Sequence, residues 1–506
     1  MDNEPRRDAP LEMDSATFRK LGHRLVDQVA EFLESMPLGP VNHDESPSSV
    51  REALDLNCPL PESGMDPASL LEQTAELLFA HSLFNGHPRF LGYITAPPAP
   101  IGILGDFLAS AVNPNVGAWI LSPAATEIES QTVRWIASLI GYPRGCGGLL
   151  LSGGNMANVV CFLTARAAKT SWNGDPGRKL RVYASTETHT WIHKAADCSG
   201  LGKASIRWIA VDKKLRMDVD ALRRQIEADV TAGDGPCLVV GTAGSVSTGA
   251  VDPIPAIAEL CREYRAWFHV DGAYGGFAAC VPEAPMDLRA ISQADSVAVD
   301  PHKWLYAPLE AGCALVRDPE ALRSAFAHHP PYYHFEESAT NYVDYGLQNS
   351  RGFRALKVWL ALKHAGASGY RKMIGYDIHL SKTMAQAIDR HAELQLMTQD
   401  LSITTFRYVP VDLRAQLQDA AVERHLDALN RELLDRLQRG GEAFVSNAVV
   451  DDHYVLRACI VNFRTALADV EAVPAIVARI GRAVDAELRQ TISQSEQENP
   501  NPGARA

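Results

Sequence analysis

Two strand-like runs in this sequence end on residues that can do chemistry. Ser-Val-Ala-Val at 296–299 reads as a buried strand that Pro301 stops, and His302, Lys303 and Trp304 follow at once. Apolar flanks partly desolvate a lysine and favour its neutral, nucleophilic amine, so Lys303 is either a nucleophile or one half of a structural ion pair. Upstream, Phe-His-Val-Asp-Gly-Ala-Tyr-Gly-Gly at 268–276 is again an apolar strand, closed by Asp271 and then by small residues that let a flat ligand come close. An amine and a carboxylate at strand ends suit pyridoxal 5'-phosphate (PLP). The amine forms a Schiff base with its aldehyde, and the carboxylate keeps its pyridinium nitrogen protonated, so that the ring can accept a carbanion's electrons. Asp271 alone would also serve as a turn former.

The elements between these groups alternate. Leu149–Leu151 is a short strand, Ser152, Gly153, Gly154 and Asn155 form a small-residue turn, and 156–168 is an apolar helix, an order that presents backbone N–H groups to a phosphate. Neither nucleotide-type glycine signature occurs there. Strands at 180–184, 206–211, 238–241, 267–270, 297–299 and 314–316, with helices at 191–198, 219–230 and 253–264, predict an α/β fold around a doubly wound, mainly parallel sheet. Ligands of such sheets collect beyond the carboxyl ends of the strands, where Ser152, His189, Thr242, Asp271 and Lys303 would all lie. His189 and His193 have the spacing of a zinc pair, but the glutamate of His-Glu-x-x-His and a third ligand are missing, so no metal is expected. A single imidazole packed on a flat cofactor, or a satisfied core histidine, fits His189 better.

The 506 residues carry a net charge of −13 without long acidic runs, which disfavours nucleic acid and anionic membranes as partners. The nine cysteines are scattered and lack a Cys-x-x-Cys pair, and no leader or spanning segment is evident, so a cytoplasmic protein is expected. Helical patterns at 13–36 and 66–80, joined by a Pro/Ser-rich connector at 37–61, predict an N-terminal helical arm over 1–100 that packs on another subunit. The large α/β domain then spans 101–365, a small α+β domain 366–490, and a polar, disordered tail 491–506.

With Asp-Pro-His-Lys-Trp, His-Val-Asp-Gly-Ala-Tyr, the Ser-Gly-Gly-Asn turn and the His189 segment together, residues 13–485 resemble the group II PLP-dependent decarboxylases, closest to the aromatic L-amino-acid decarboxylases. The resemblance implies a PLP-dependent transferase of fold type I with a seven-stranded sheet, and a homodimer with active sites at its interface. Carried over by position, Lys303 is the Schiff-base lysine, Asp271 the pyridinium partner, His189 the imidazole stacked on the ring and Ala273 the small residue on its other face. His302 and Thr242 match positions near the cofactor, Ser152, Gly153, Gly154 and Asn155 its phosphate turn, and Tyr332 the tyrosine of a mobile catalytic loop. The expected reaction is decarboxylation of an L-amino acid, most simply tyrosine, DOPA, tryptophan or phenylalanine, to the amine and CO2. Alternatives are an acidic or diamino acid as substrate, an aldehyde-forming decarboxylase, or a non-catalytic PLP-binding protein. Aldehyde-forming relatives typically lose the loop tyrosine or the stacking histidine, and this chain has both. Trp119, Phe90 and Tyr93 offer an apolar wall, whereas an acidic substrate would need Arg89 or Arg351 in the pocket. Two positions depart from the pattern: Asp300 stands where the family often has asparagine near the phosphate, and Gly117 where an aromatic lines the substrate pocket.

Overall fold

The computed structural model of the chain describes residues 9–169, 179–329 and 339–498, with side chains to residue 490. Its larger sheet has seven strands in the order Gly147–Leu151, Gly312–Val316, Ser296–Val299, Trp267–Asp271, Gly235–Thr242, Leu180–Ser185, Ile206–Ile209. Only Gly312–Val316 runs against its neighbours in this sheet. The four strands nearest that edge are buried along their whole length, which is why the sequence shows them as unbroken apolar runs. Side chains alternate between two cores: Phe268, Val270, Val297 and Leu315 face one, and Trp267, Ala298 and Ala314 the other. By the same parity His269 and Asp271 share the face with Trp267, under the helices Gly154–Lys169 and Trp191–Cys198.

The expected helix after position 13 is Ser15–Ser35, capped by the Asp14 carboxylate on the N–H groups of Ala16 and Thr17. Several expectations are corrected. The connector contains a helix, Pro47–Ala53, begun by a Ser46 capping box. Phe90–Leu91 is a strand, parallel to Phe444–Val450, so the chain before residue 100 contributes an edge to the second sheet as well as helices. That sheet has five strands, in the order Phe90–Leu91, Phe444–Val450, His453–Cys459, Ile403–Tyr408, Leu394–Asp400. Leu467–Glu498 is a helix running into the stretch expected to lack structure, and residues 499–506 lie outside the described ones.

The two sheets are linked by the Ala355–Asp389 helix, which breaks at Gly366 (φ 64°, ψ 166°), a left-handed conformation that glycine adopts without a Cβ clash. Beyond the break, Asp377 Oδ2 accepts hydrogen bonds from Trp304 Nε1 and Tyr306 Oη, both at 2.8 Å. These residues flank Lys303, so the lysine's segment is tied to the far side of the break. Burial raises the Asp377 carboxyl from its usual 3.8 to about 7, with both donors opposing the rise.

Because the folded-state value lies above the unfolded one, the stability from protonating Asp377 is complete below its unfolded value. It is lost as pH rises through about 7. Asp377→Asn carries no charge to bury, so its unfolding free energy should gain on wild type by about 1–3 kcal/mol between about pH 5 and about pH 9. Paired thermal unfolding curves across that range measure it; a difference independent of pH would exclude Asp377 as the titrating group.

Candidate active site

The expected residues meet at the carboxyl ends of the parallel strands. Thr242 and Asp271 are direct neighbours in register at the ends of their strands, and Lys303 lies on the short helical turn Pro301–Trp304 that follows Ser296–Val299. Gly154, Asn155, His189, Thr242, Asp271, Ala273 and Lys303 line one cleft with about 390 Å³ of empty space.

Asp271 is buried and held by two donors: Trp191 Nε1 at 2.7 Å on Oδ2 and the Ala273 N–H at 3.1 Å on Oδ1. Behind it, His269 Nε2 donates to Asn158 Oδ1 (2.7 Å) and Nδ1 accepts from the Ser296 hydroxyl (2.9 Å). Burial drives the His269 imidazole well below its ordinary value, so this neighbour is neutral and Asp271 gains no counter-ion from it. His189 accepts the Trp191 backbone N–H on Nδ1 (3.2 Å). Desolvation pushes His189 below its ordinary value and Asp271 opposes it. His302 is lowered for the same first reason, and its Nδ1 lies 2.8 Å from the Ala311 carbonyl oxygen.

The turn fits an anion in shape. Gly153 has φ +112°, and Gly154 begins a helix in a close approach to its neighbours, where a Cβ would come within 2.9 Å of Ala273 Cβ. Ser152 is half-buried and Asn155 exposed beside it. The Thr242 hydroxyl is buried without a hydrogen-bond partner, although its backbone N–H reaches Asp252 Oδ2 at 2.7 Å. An orphaned buried hydroxyl among a lysine, a carboxylate and a glycine turn is what a polar, flat, phosphorylated cofactor would complete.

Several expectations are modified. Lys303 is held by charge, with Nζ 2.9 Å from Asp300 Oδ2, and not by an apolar surround alone. At Gly117, where the resemblance has a pocket-lining aromatic, there is no room for a side chain, since a Cβ would lie 2.3 Å from the Asn349 carbonyl oxygen. The aromatic wall is not assembled at the cleft: Phe90 stacks on Phe444 (5.2 Å), Trp119 Nε1 bonds Glu127 (3.1 Å), and Tyr93 is exposed. Arg351 is buried on Glu129 and the carbonyls of Val116 (2.8 Å) and Leu150 (2.7 Å), and Arg89 reaches Asp469 (3.5 Å). His193 packs against Trp208 at 5.2 Å. Tyr332 lies outside the described residues.

Trp191 and His269 are the functional neighbours that the motifs missed. His269 had a signal, a polar residue two before Asp271 on the same strand face; Trp191 had none beyond its closeness to His189.

The model of the pyridoxal-dependent decarboxylase conserved domain matches residues 47–409. An aromatic-L-amino-acid decarboxylase of Bacillus atrophaeus is 33% identical over 460 residues, 90% of this chain and 93% of that one. A phenylacetaldehyde synthase of Petunia hybrida is 29% identical over 459 residues, 88% and 90% of the two chains. Among solved structures, Oryza sativa TDC with PLP and tryptamine superposes with a TM-score of 0.87 at 27% identity, covering 94% of this chain and 99% of that one.

Trp191→Phe keeps the ring's bulk and removes one donor from Asp271. A hydrogen bond to a charged group contributes about 1.5–3 kcal/mol, so affinity for PLP should fall about 10- to 100-fold. Spectrophotometric titration of the cofactor-free protein reads this, and an unchanged affinity would remove Trp191 from the orientation of Asp271.

Proposed function

The chain belongs to the pyridoxal-dependent decarboxylase family, and we propose that this PLP-dependent amino-acid decarboxylase acts on an aromatic L-amino acid and releases the amine and CO2. The observation that carries the reading is the single cleft lined by Lys303, Asp271, His189, Ala273 and the partnerless Thr242 hydroxyl beside the Gly153–Gly154 turn. Bound PLP supplies an electron sink for the pair left behind when CO2 departs. Lys303 is the anchoring amine. Asp271, aimed by Trp191 and the Ala273 N–H, keeps a proton on the ring nitrogen. His189 would cover one face of the cofactor ring and Ala273 the other, both lining the cleft. The Ser152–Asn155 turn holds the phosphate with His302 packed beneath Gly153, where a Cβ would lie 3.1 Å from the imidazole. By the resemblance, Tyr332 would be the group that delivers a proton to carbon.

Two observations favour an aromatic over an acidic substrate: no arginine is among the described residues lining the cleft, and Arg89 and Arg351 are engaged elsewhere. The Bacillus atrophaeus relative bears an aromatic decarboxylase name, in line with this. The Petunia hybrida relative keeps the aldehyde outcome in view, and the presence of both Tyr332 and His189 is the reason to favour the amine. The proposed partner is a second copy of the chain. Phe18, Val26, Leu70, Leu71 and Leu78 on the N-terminal helices and Leu104, Phe107 and Leu108 on Pro100–Val112 leave apolar side chains in solvent that a symmetric partner would cover. No helix among the described residues is long and apolar enough to cross a membrane.

Steady-state CO2 release from tyrosine, DOPA, tryptophan, phenylalanine and glutamate should place an aromatic at least about 100-fold above glutamate in kcat/KM. Faster turnover of glutamate than of every aromatic would sink the substrate reading. Lys303→Ala should abolish release, and retained activity there would overturn the site. Tyr332→Phe should keep CO2 release and divert product, with O2 as oxidant, to aldehyde, ammonia and hydrogen peroxide. Amine, aldehyde and peroxide counted per CO2 test it, and an unchanged, amine-dominated ratio removes Tyr332 from the mechanism.

A further inference from the structure

Asp300 directly follows the Ser296–Val299 strand and is 1% exposed. Its Oδ2 lies 2.9 Å from Lys303 Nζ and 3.7 Å from His302 Nε2, while its buried Oδ1 has no hydrogen-bond partner. The same carboxyl abuts the glycine turn: a Cβ on Gly154 would sit 2.5 Å from Oδ2 and 3.1 Å from Cγ. A buried negative group therefore stands between the anchoring lysine and the N–H groups that open the Gly154–Lys169 helix, where an anion is otherwise favoured. Lys303 is its nearest cation.

We propose that Asp300 is a positioning residue that keeps Lys303 as its counter-ion before cofactor loading and weakens retention of the cofactor phosphate afterwards. The proposal rests on the reading that Lys303 and the Gly153–Gly154 turn hold PLP. On loading, the Lys303 ammonium releases a proton to solvent. Its nitrogen then forms a C=N bond with the aldehyde carbon, and the aldehyde oxygen leaves as water. The nitrogen is drawn off Asp300, and the buried carboxyl is left without its hydrogen-bonded cation beside a phosphate of like charge. Asparagine at this position removes the charge at constant shape and offers an N–H to the phosphate. The carboxylate thus makes this chain a weaker holder of PLP than its geometry otherwise allows, and a protein that needs a higher cofactor concentration to stay loaded.

The test compares cofactor-free wild type with Asp300→Asn by equilibrium titration with PLP and, separately, with pyridoxal, which has the aldehyde but no phosphate. Borohydride reduction and peptide mapping locate the attachment in each protein. The expected result is a Kd for PLP at least about tenfold lower in Asp300→Asn, with a change of about threefold or less for pyridoxal. In the Lys303→Ala background, where no covalent bond forms, Asp300→Asn should again tighten PLP by a similar factor. An unchanged or weaker PLP affinity overturns the proposal, as does equal tightening of PLP and pyridoxal, which would assign the whole effect to the freed lysine. Attachment at a residue other than Lys303 would instead overturn the underlying site, so the two failures are distinguishable.

Discussion

The buried Asp271 carboxylate is the constraint around which the rest of the cleft is arranged. At 6% exposure it needs N–H donors in place of water, and Trp191 and the Ala273 backbone provide them. Trp191 can donate only because its helix brings the indole edge against Phe162 (6.3 Å) and His269 (5.8 Å). His269 in turn requires Asn158 and Ser296 on its two nitrogens. Asn158 lies one turn into the helix that Gly154 begins, so the helix that supports the network behind Asp271 also sets where the glycine turn stands. Ring nitrogen and phosphate would thus be held by one rigid unit, which is what a fixed distance between those two ends of a cofactor demands.

Lys303 is placed from the opposite direction. Trp304 and Tyr306 hang from Asp377, and Tyr274 stacks on Trp304 at 5.0 Å while its hydroxyl meets Ser402 Oγ at 2.7 Å. Tyr274 is three residues beyond Asp271 and lines the same cleft. The amine and the carboxylate are therefore referenced to one another through aromatic contacts that cross from the large sheet to the part of the chain beyond Gly366. Asp377 can do this with its charge muted because its carboxyl is raised to about 7 by burial, and a neutral or half-neutral acceptor is cheaper to bury than a full charge.

The cofactor side was legible in the sequence because it is written in short, contiguous pieces. Strand, polar terminus and small residues occur within nine positions around Asp271, a strand and polar terminus again around Lys303, and parallel strands buried on both faces show as apolar runs that need no partner to be identified. What escaped was carried by separation in sequence or by local turn and cap geometry. The Phe90–Leu91 strand pairs with residues more than 350 positions later, Asp377 looks like any acid in a helical pattern, and the Asp300–Lys303 pair depends on a turn whose geometry composition does not specify. The Pro47–Ala53 helix was hidden by proline and serine, read as connector residues although they are also the residues that start helices.

The substrate side follows a different logic. Of the residues expected to form its apolar wall, Phe90 is committed to Phe444 and Trp119 to Glu127 while Tyr93 is exposed, and Gly117 is wedged against a backbone carbonyl where no side chain fits. A single chain thus gathers the cofactor-side residues at the end of its sheet, while the helices at 15–35, 67–80 and 100–112 keep apolar side chains in solvent. Such a division separates two selective pressures physically. The buried network around Asp271 cannot vary without unpairing a polar group, at about 1–3 kcal/mol each. A side chain outside that network can change at little cost to the fold, so chains that share the cofactor geometry are free to differ in the amino acid they accept and in what becomes of the carbanion.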